Sequence, residues 1–320
     1  MLTITVDARE PDRRTLRPAA EALLAGRLVA FPTETVYGLG ALALDPRSAG
    51  RIFEAKGRPP DDPLIVHVLP DWDLGLVFAE VTEPIRRLAD EHWPGALTIV
   101  GPKHPSVPDI VTSGLPTVAV RAPSHPVAVA LLELVGVPVA APSANRFSYV
   151  SPTTADHVAS DLGDVIDVLV DGGPTPIGIE STIVRVNGEH LTLLRPGSVV
   201  IAGIGSDTHA PSSLSPGRLE VHYSPSTPTR ALAARSPLRS PGPGVFIGYD
   251  DSIPTPDGWQ VVSLGDRRDL QSVAHRLYEV LRTADALRVP VMVVEFTGVD
   301  GLGAALDDRI HRAAGGQSAY

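Results

Sequence analysis

Apolar periodicity runs along this chain to about residue 203, vanishes, and resumes after residue 230. Between those points Gly, Ser, Pro and Thr dominate. A stretch that long without apolar spacing cannot lie inside a packed core, so the pattern predicts two cores joined by a long connection. Three pieces are expected: residues 1–203, a connecting segment over 204–230, and a smaller unit over 231–320. A connection of that length points to a functional segment rather than a plain tether.

Before the break, helical and strand-like patterns alternate. Leu16, Ala19, Ala20, Leu23 and Leu24 recur at helical spacing ahead of Gly26. The apolar run from Leu28 to Phe31 then enters the polar stretch Pro32-Thr33-Glu34-Thr35, read as a loop at a strand end. Helices are predicted over 46–56, 83–92, 127–135 and 153–161, and strands over 64–69, 96–100, 117–121, 138–141 and 165–170. Asn187-Gly188 lies between two strand-like runs, a strong hairpin signal. Hairpins mixed into the alternation predict an α/β unit with a twisted mixed sheet flanked by helices. After the break, strands over 244–249 and 289–296 and helices over 270–287 and 304–314 predict a smaller α/β unit.

The chain has 320 residues, of which 43% are hydrophobic and 20% charged, enough apolar material for two cores. A formal net charge of −10 argues against a general nucleic-acid coat. The absence of cysteine removes thiol catalysis, disulfides and Cys-ligated metals, and fits a cytoplasmic setting. Charges or prolines interrupt every apolar run short of a membrane span, and residues 1–11 are polar, so neither a span nor a signal segment is expected.

Several clusters could carry chemistry. Thr33 to Thr35 precede Gly38 and Gly40, which would let backbone approach a ligand, or simply form a capped turn. Lys56 and Arg58 stand two residues apart on a proline-held loop. They could flank a polyphosphate, or merely satisfy helix-end carbonyls. His67 alternates with apolar neighbours and reads as a packed, hydrogen-bonded side chain. Arg121 ends an apolar strand, where it needs an internal carboxylate or a ligand anion. Ser143 and Asn145, with Ser151 nearby, offer directional polar groups without charge. Gly178 to Thr182 and Arg195 sit at the two ends of the predicted hairpin. No G-x-S-x-G, P-loop or H-E-x-x-H pattern is present.

Taken in order, these clusters resemble the YrdC-like family, specifically its two-domain threonylcarbamoyl-AMP synthases. The resemblance is carried by Pro32-Thr-Glu-Thr-Val-Tyr-Gly-Leu39, Lys56-x-Arg58-Pro59, Pro63-Leu-Ile-Val-His67, Trp93-Pro-Gly-Ala-Leu-Thr98, Val120-Arg121, Ala141-Pro-Ser-Ala-Asn145, Glu180-Ser-Thr-Ile183 and Arg195-Pro-Gly197. Ser215-Pro-Gly217, His222-Tyr-Ser-Pro225, Gly301-Leu-Gly303 and Asp308-Arg-Ile-His-Arg312 extend it into the linker and the second unit.

The resemblance implies a YrdC-like sheet plus a smaller Rossmann-like domain, and a reaction joining L-threonine, bicarbonate and ATP. It implies Thr35, His67, Arg121 and Ser181 around threonine. It implies Lys56, Arg58, Thr117, Ser143, Asn145, Ser151 and Arg195 around ATP, with Lys56, Arg58, Ser143 and Asn145 as the catalytic constellation. Tyr223 would belong to a lid. Mg²⁺ would arrive with ATP, with no metal held by the protein alone. The product would pass to a downstream tRNA threonylcarbamoyltransferase, with no direct nucleic-acid binding required. Asp62 stands where similar proteins usually carry Asn near the phosphates. It would repel them unless it binds Mg²⁺ or turns away. Asp308 likewise replaces an Asn. A carbamoyl-phosphate-dependent carbamoyltransferase and a non-catalytic RNA-binding module remain as alternatives.

Overall fold

The computed structural model describes residues 1–206, 223–232, 243–250, 258–294, 301–315 and 318–319. Most of the linker, including Ser215-Pro-Gly217 and His222, lies outside the described residues.

In chain order the first part contains β1 (Leu2–Thr5), α1 (Arg13–Leu24), β2 (Val29–Pro32), β3 (Tyr37–Leu42), α2 (Pro46–Lys56), β4 (Ile65–His67), α3 (Glu83–His92), β5 (Leu97–Pro102) and α4 (Asp109–Thr112). It continues with β6 (Thr117–Arg121), α5 (Pro126–Val135), β7 (Val139–Ala140), α6 (Ala155–Leu162), β8 (Val168–Asp171), β9 (Thr182–Asn187), β10 (His190–Arg195) and β11 (Gly205–Ser206). These strands form one 11-stranded sheet in the order β1-β8-β2-β3-β7-β4-β6-β5-β9-β10-β11. Parallel pairs such as β4 with β6 alternate with antiparallel pairs such as β2 with β3 and β5 with β6, so the sheet is mixed.

Both faces of the sheet are covered. Along β2 and the residue before it, Leu28 and Ala30 enter one core with α2, α3 and α6. Val29 and Phe31 enter the opposite core with α1 and α5. Successive strand side chains point to opposite faces, so β2 reads as a continuous apolar run rather than an alternating one.

The second part contains β12 (Thr229–Leu232), β13 (Val245–Gly248), β14 (Gln260–Ser263), α7 (Leu270–Ala286), β15 (Val291–Val294), α8 (Gly301–Ala313) and β16 (Ser318–Ala319). Its five strands are all parallel, in the order β14-β13-β15-β12-β16. This is the smaller α/β unit with its own core. Val36, Val150 and Ile179 of the first part join that core.

Two readings of the sequence change. The segment after Thr35, where Gly38 and Gly40 were read as room for a ligand, is β3, the second strand of a hairpin with β2. A Cβ on Gly40 would lie 2.8 Å from the Phe31 ring, so Gly40 makes room for packing within the sheet rather than for a ligand. β1, carrying only four residues, was not anticipated and pairs with β8 at the sheet edge.

Candidate active site

The polar clusters converge where several central strands end. β4 and β6 are parallel neighbours with His67 opposite Arg121, so both side chains leave the sheet at one place. The β2–β3 turn reaches the same place and is fixed by Thr33. Its hydroxyl donates to Val36 O (2.7 Å) and receives the backbone N–H groups of Thr35 and Val36. One cavity is lined by Thr33, Thr35, Val36, Gly38, Arg58, Ile65, His67, Arg121, Ala141, Pro142, Ser143, Glu180, Ser181, Arg195 and Tyr223.

Arg121 is held on three sides. It donates to Thr35 Oγ1 (2.8 Å) and Gly95 O (3.2 Å), and its Nη2 lies 2.5 Å from Glu34 Oε1. Glu34 also receives Ser124 N–H. Burial alone would raise the Glu34 carboxyl, but Arg121 overcomes it and holds the group below the ordinary range. The strand arginine thus has the internal carboxylate that its burial required, while still lining the cavity. Beside it, burial pushes His67 down to about 3, reinforced by Arg121 and opposed by Glu34, so the ring is neutral at physiological pH. Its Nδ1 is buried and meets no hydrogen-bond partner.

α2 ends at Gly57 in the left-handed conformation, which sends Lys56 and Arg58 to different tasks. Lys56 Nζ donates to Ser143 O and Asn145 O, both at 2.5 Å. It fastens the 143–145 segment from behind and does not line the cavity. Burial, with Arg58 adding repulsion, pushes its ammonium well below the ordinary lysine value. Arg58 does line the cavity. It donates to Asp62 O (2.9 Å) and Pro63 O (2.7 Å) and pairs with Asp62 Oδ2 at 2.9 Å. Asp62 has therefore turned onto Arg58, and burial raises its carboxyl against the pull of Arg58 and Lys56. Asn145 donates to Arg146 O and Tyr149 O and shapes the loop leading to Ser151.

Arg195 ends β10 and crosses to Ser181, donating to its carbonyl and its hydroxyl, both at 3.1 Å. Ser181 also shares a 2.8 Å bond with Thr98. Thr117 opens β6, four residues before Arg121, which places it roughly 13 Å away along the strand, and it does not line this cavity.

The contributions of Glu180, Tyr278 and Arg309 were not foreseen. Glu180 lines the cavity and receives Ser151 Oγ (2.5 Å), Tyr278 OH (2.7 Å) and Arg309 Nε (2.8 Å). Tyr278 lies on α7 and Arg309 on α8, so the second domain reaches the cavity wall. Tyr223 is buried with φ +58, a region that costs a bulky residue about 1–3 kcal/mol. Its ring stacks on Tyr278 at 5.7 Å and lies under the Arg309 guanidinium at 5.2 Å. The signal for Arg309 was available. It shares the buried face of α8 with Ala305, Leu306 and Ala313, and an arginine in an apolar stripe demands an anionic partner.

Fold and site define a two-domain α/β protein whose buried pocket is walled by paired arginines and small hydroxyl side chains. The family description "Telomere recombination" matches residues 21–197, and "Threonylcarbamoyl-AMP synthase, C-terminal domain" matches residues 183–315. A threonylcarbamoyl-AMP synthase of Pyrococcus abyssi is 39% identical over 98% of this chain and 98% of its own. One of Bacillus subtilis is 40% identical over 93% and 92%. A crystal structure of the Pyrococcus abyssi protein complexed with L-threonine superposes with a TM-score of 0.89 at 38% identity, covering 98% of both chains. The chain belongs to the two-domain threonylcarbamoyl-AMP synthase family.

Proposed function

We propose that this protein joins L-threonine, bicarbonate and ATP into threonylcarbamoyl-AMP and pyrophosphate. The observation that carries this reading is the pocket itself. Arg58, Arg121 and Arg195 converge with the hydroxyls of Thr35, Ser143 and Ser181, and Ser181 is engaged by Thr98 and Arg195 rather than by a base. Such a set suits two anionic substrates brought together with their charge offset. It does not suit attack by the protein.

In this reading the threonine nitrogen attacks the carbon of CO₂ or bicarbonate, giving a carbamate; from bicarbonate, water leaves. A carbamate oxygen then attacks the α-phosphorus of ATP, and the bond to the bridging oxygen breaks as pyrophosphate departs. Arg121 would hold the threonine carboxylate. A guanidinium carries five N–H groups, of which two donate to Thr35 and Gly95, while Nη2 is ion-paired with Glu34. His67, neutral and with an unpartnered nitrogen, would accept from or donate to the same substrate. Arg58, Arg195 and the Ser143 loop would face the nucleotide, and Tyr223 would keep water from the carbamate and the mixed anhydride.

Among the described residues no group of three or more His, Asp or Glu side chains is placed to hold a metal, and Asp62 is committed to Arg58. Mg²⁺ would arrive on the ATP phosphates, where it would offset charge on the departing pyrophosphate. The product would pass to a tRNA threonylcarbamoyltransferase, and no contact with nucleic acid is needed for this step. No described helix is long and apolar enough to cross a membrane.

Pyrophosphate release tests the reading, with ATP, L-threonine and bicarbonate omitted in turn. Release that needs all three is expected. Release with carbamoyl phosphate in place of threonine and bicarbonate would overturn it in favour of a carbamoyltransferase. Salt-sensitive RNA binding without turnover would overturn it in favour of a binding module.

A further inference from the structure

Glu180 presents a difficulty for a pocket that receives anions. It lines the same cavity as Arg58, Arg195 and Ser143, yet a bare carboxylate there would repel phosphates. The first domain supplies only part of the remedy: Ser151 Oγ on one carboxylate oxygen, and Arg195 close enough to lower the group. The other oxygen, Oε2, is taken by groups of the second domain, Arg309 Nε at 2.8 Å and Tyr278 OH at 2.7 Å. Arg309 is fully buried, donates to Pro196 O beside Arg195 (3.0 Å), and stacks over the Tyr223 ring.

Around the cavity the carboxylates of Glu34, Asp62 and Glu180 stand against the guanidinium groups of Arg58, Arg121 and Arg195, and the second domain adds Arg309, which pairs with both Glu180 and its own neighbour Asp308.

We propose that Arg309 is a positioning residue for the nucleotide: it neutralises Glu180, turns that carboxylate from the phosphates, and fixes Tyr223 over the pocket. The second domain then completes the electrostatics of a site whose other arginines all lie in the first. This rests on the synthase reading above.

The test uses the full chain and steady-state pyrophosphate release with ATP varied. Arg309→Met is expected to raise KM for ATP by about tenfold or more, with a smaller change in kcat. Arg309→Lys, which keeps the charge, is expected to raise it less. The double variant Arg309→Met with Glu180→Gln is expected to recover most of the lost KM, because the repelling charge is gone. A merely structural role for Arg309 predicts the opposite for the double variant, which would be at least as impaired as the single one, and that result overturns the proposal. An unchanged KM in Arg309→Met also overturns it. If Arg309→Met does not fold, the lysine variant decides, and a KM rise in Arg309→Lys that added Glu180→Gln does not recover would overturn charge compensation. Wild-type protein that releases no pyrophosphate would instead remove the synthase reading.

Discussion

The arginines of the two domains are answered in different ways. In the first domain, Arg58 meets Asp62 four residues on, and Arg121 meets Glu34 across the sheet, so each pair closes within its own domain. In the second, Arg282 and Arg309 are buried and reach across to Asp161 and Glu180 of the first domain, with Arg309 also pairing with Asp308 beside it. Arg282 also donates to Val150 O and lies over the Tyr149 ring at 4.7 Å. Tyr149 in turn donates to Asp285 of α7 (2.8 Å). The pairs of Arg58 and Arg121 thus close within the first domain, whereas among the described residues Arg282 meets its carboxylate across the boundary and Arg309 meets one on each side of it. A domain carrying two buried cations on its docking face is poorly suited to stand alone with that face intact.

The largest effect should follow from breaking one of these cross-domain pairs. Arg282→Ala leaves Asp161 buried without its cation and should cost about 3–5 kcal/mol. In a thermal melt that is a fall of roughly 10 °C. Adding Asp161→Asn should recover part of it. A variant that melts with wild type would erase the contrast between the domains.

A second, smaller effect concerns His67 on the threonine side of the pocket. Its folded value, pushed down to about 3, lies below the ordinary histidine value of 6.5. Between those values the unfolded chain binds a proton that the folded protein refuses, so stability is full above pH 6.5 and is lost as pH falls toward 3. The loss is a few kcal/mol at most. His67→Gln, measured by urea unfolding from pH 7 to pH 4, should flatten this slope. Glu34, held low by Arg121, adds loss only below its ordinary range near 4.5. An unaltered slope above pH 5 in the glutamine variant would show that His67 is not the buried neutral base described here.

Much of this was legible in the sequence. α2 and α3 span the residues 46–56 and 83–92 expected of them, and the Asn187-Gly188 hairpin is present. Thr35, Arg58, His67, Arg121, Ser143, Ser181, Arg195 and Tyr223 share one cavity. What was not legible depends on long-range pairing. Tyr37 to Leu42 was given no strand, and Gly40, read as room for a ligand, instead makes room for Phe31 and Val139 within the sheet. Lys56 was read as flanking a polyphosphate or satisfying carbonyls at its helix end, and its ammonium is bound by two carbonyls of a segment nearly ninety positions away. Glu180 carried no local sign of its partners, since they arrive from α7 and α8, more than ninety residues later. Gly178 belongs to the same class. It has φ +87, and a Cβ there would fall 2.5 Å from Ala274 O of α7, a contact visible only once the domains dock.

The smallest effect sharpens the comparison by removing burial from it. Arg146 pairs with Asp164 at 3.4 Å, but both side chains are more than half exposed, at 57% and 68%. Water already solvates each partner, and salt screens their attraction. Arg146→Ala should therefore change stability by less than about 0.5 kcal/mol, within the scatter of a melt. Measured beside Arg282→Ala, it replaces the same residue type by the same substitution and removes one ion pair in each case. A large loss at Arg146 would mean that ion pairing itself, rather than the desolvation of Arg282 and Asp161 at the domain boundary, sets the cost.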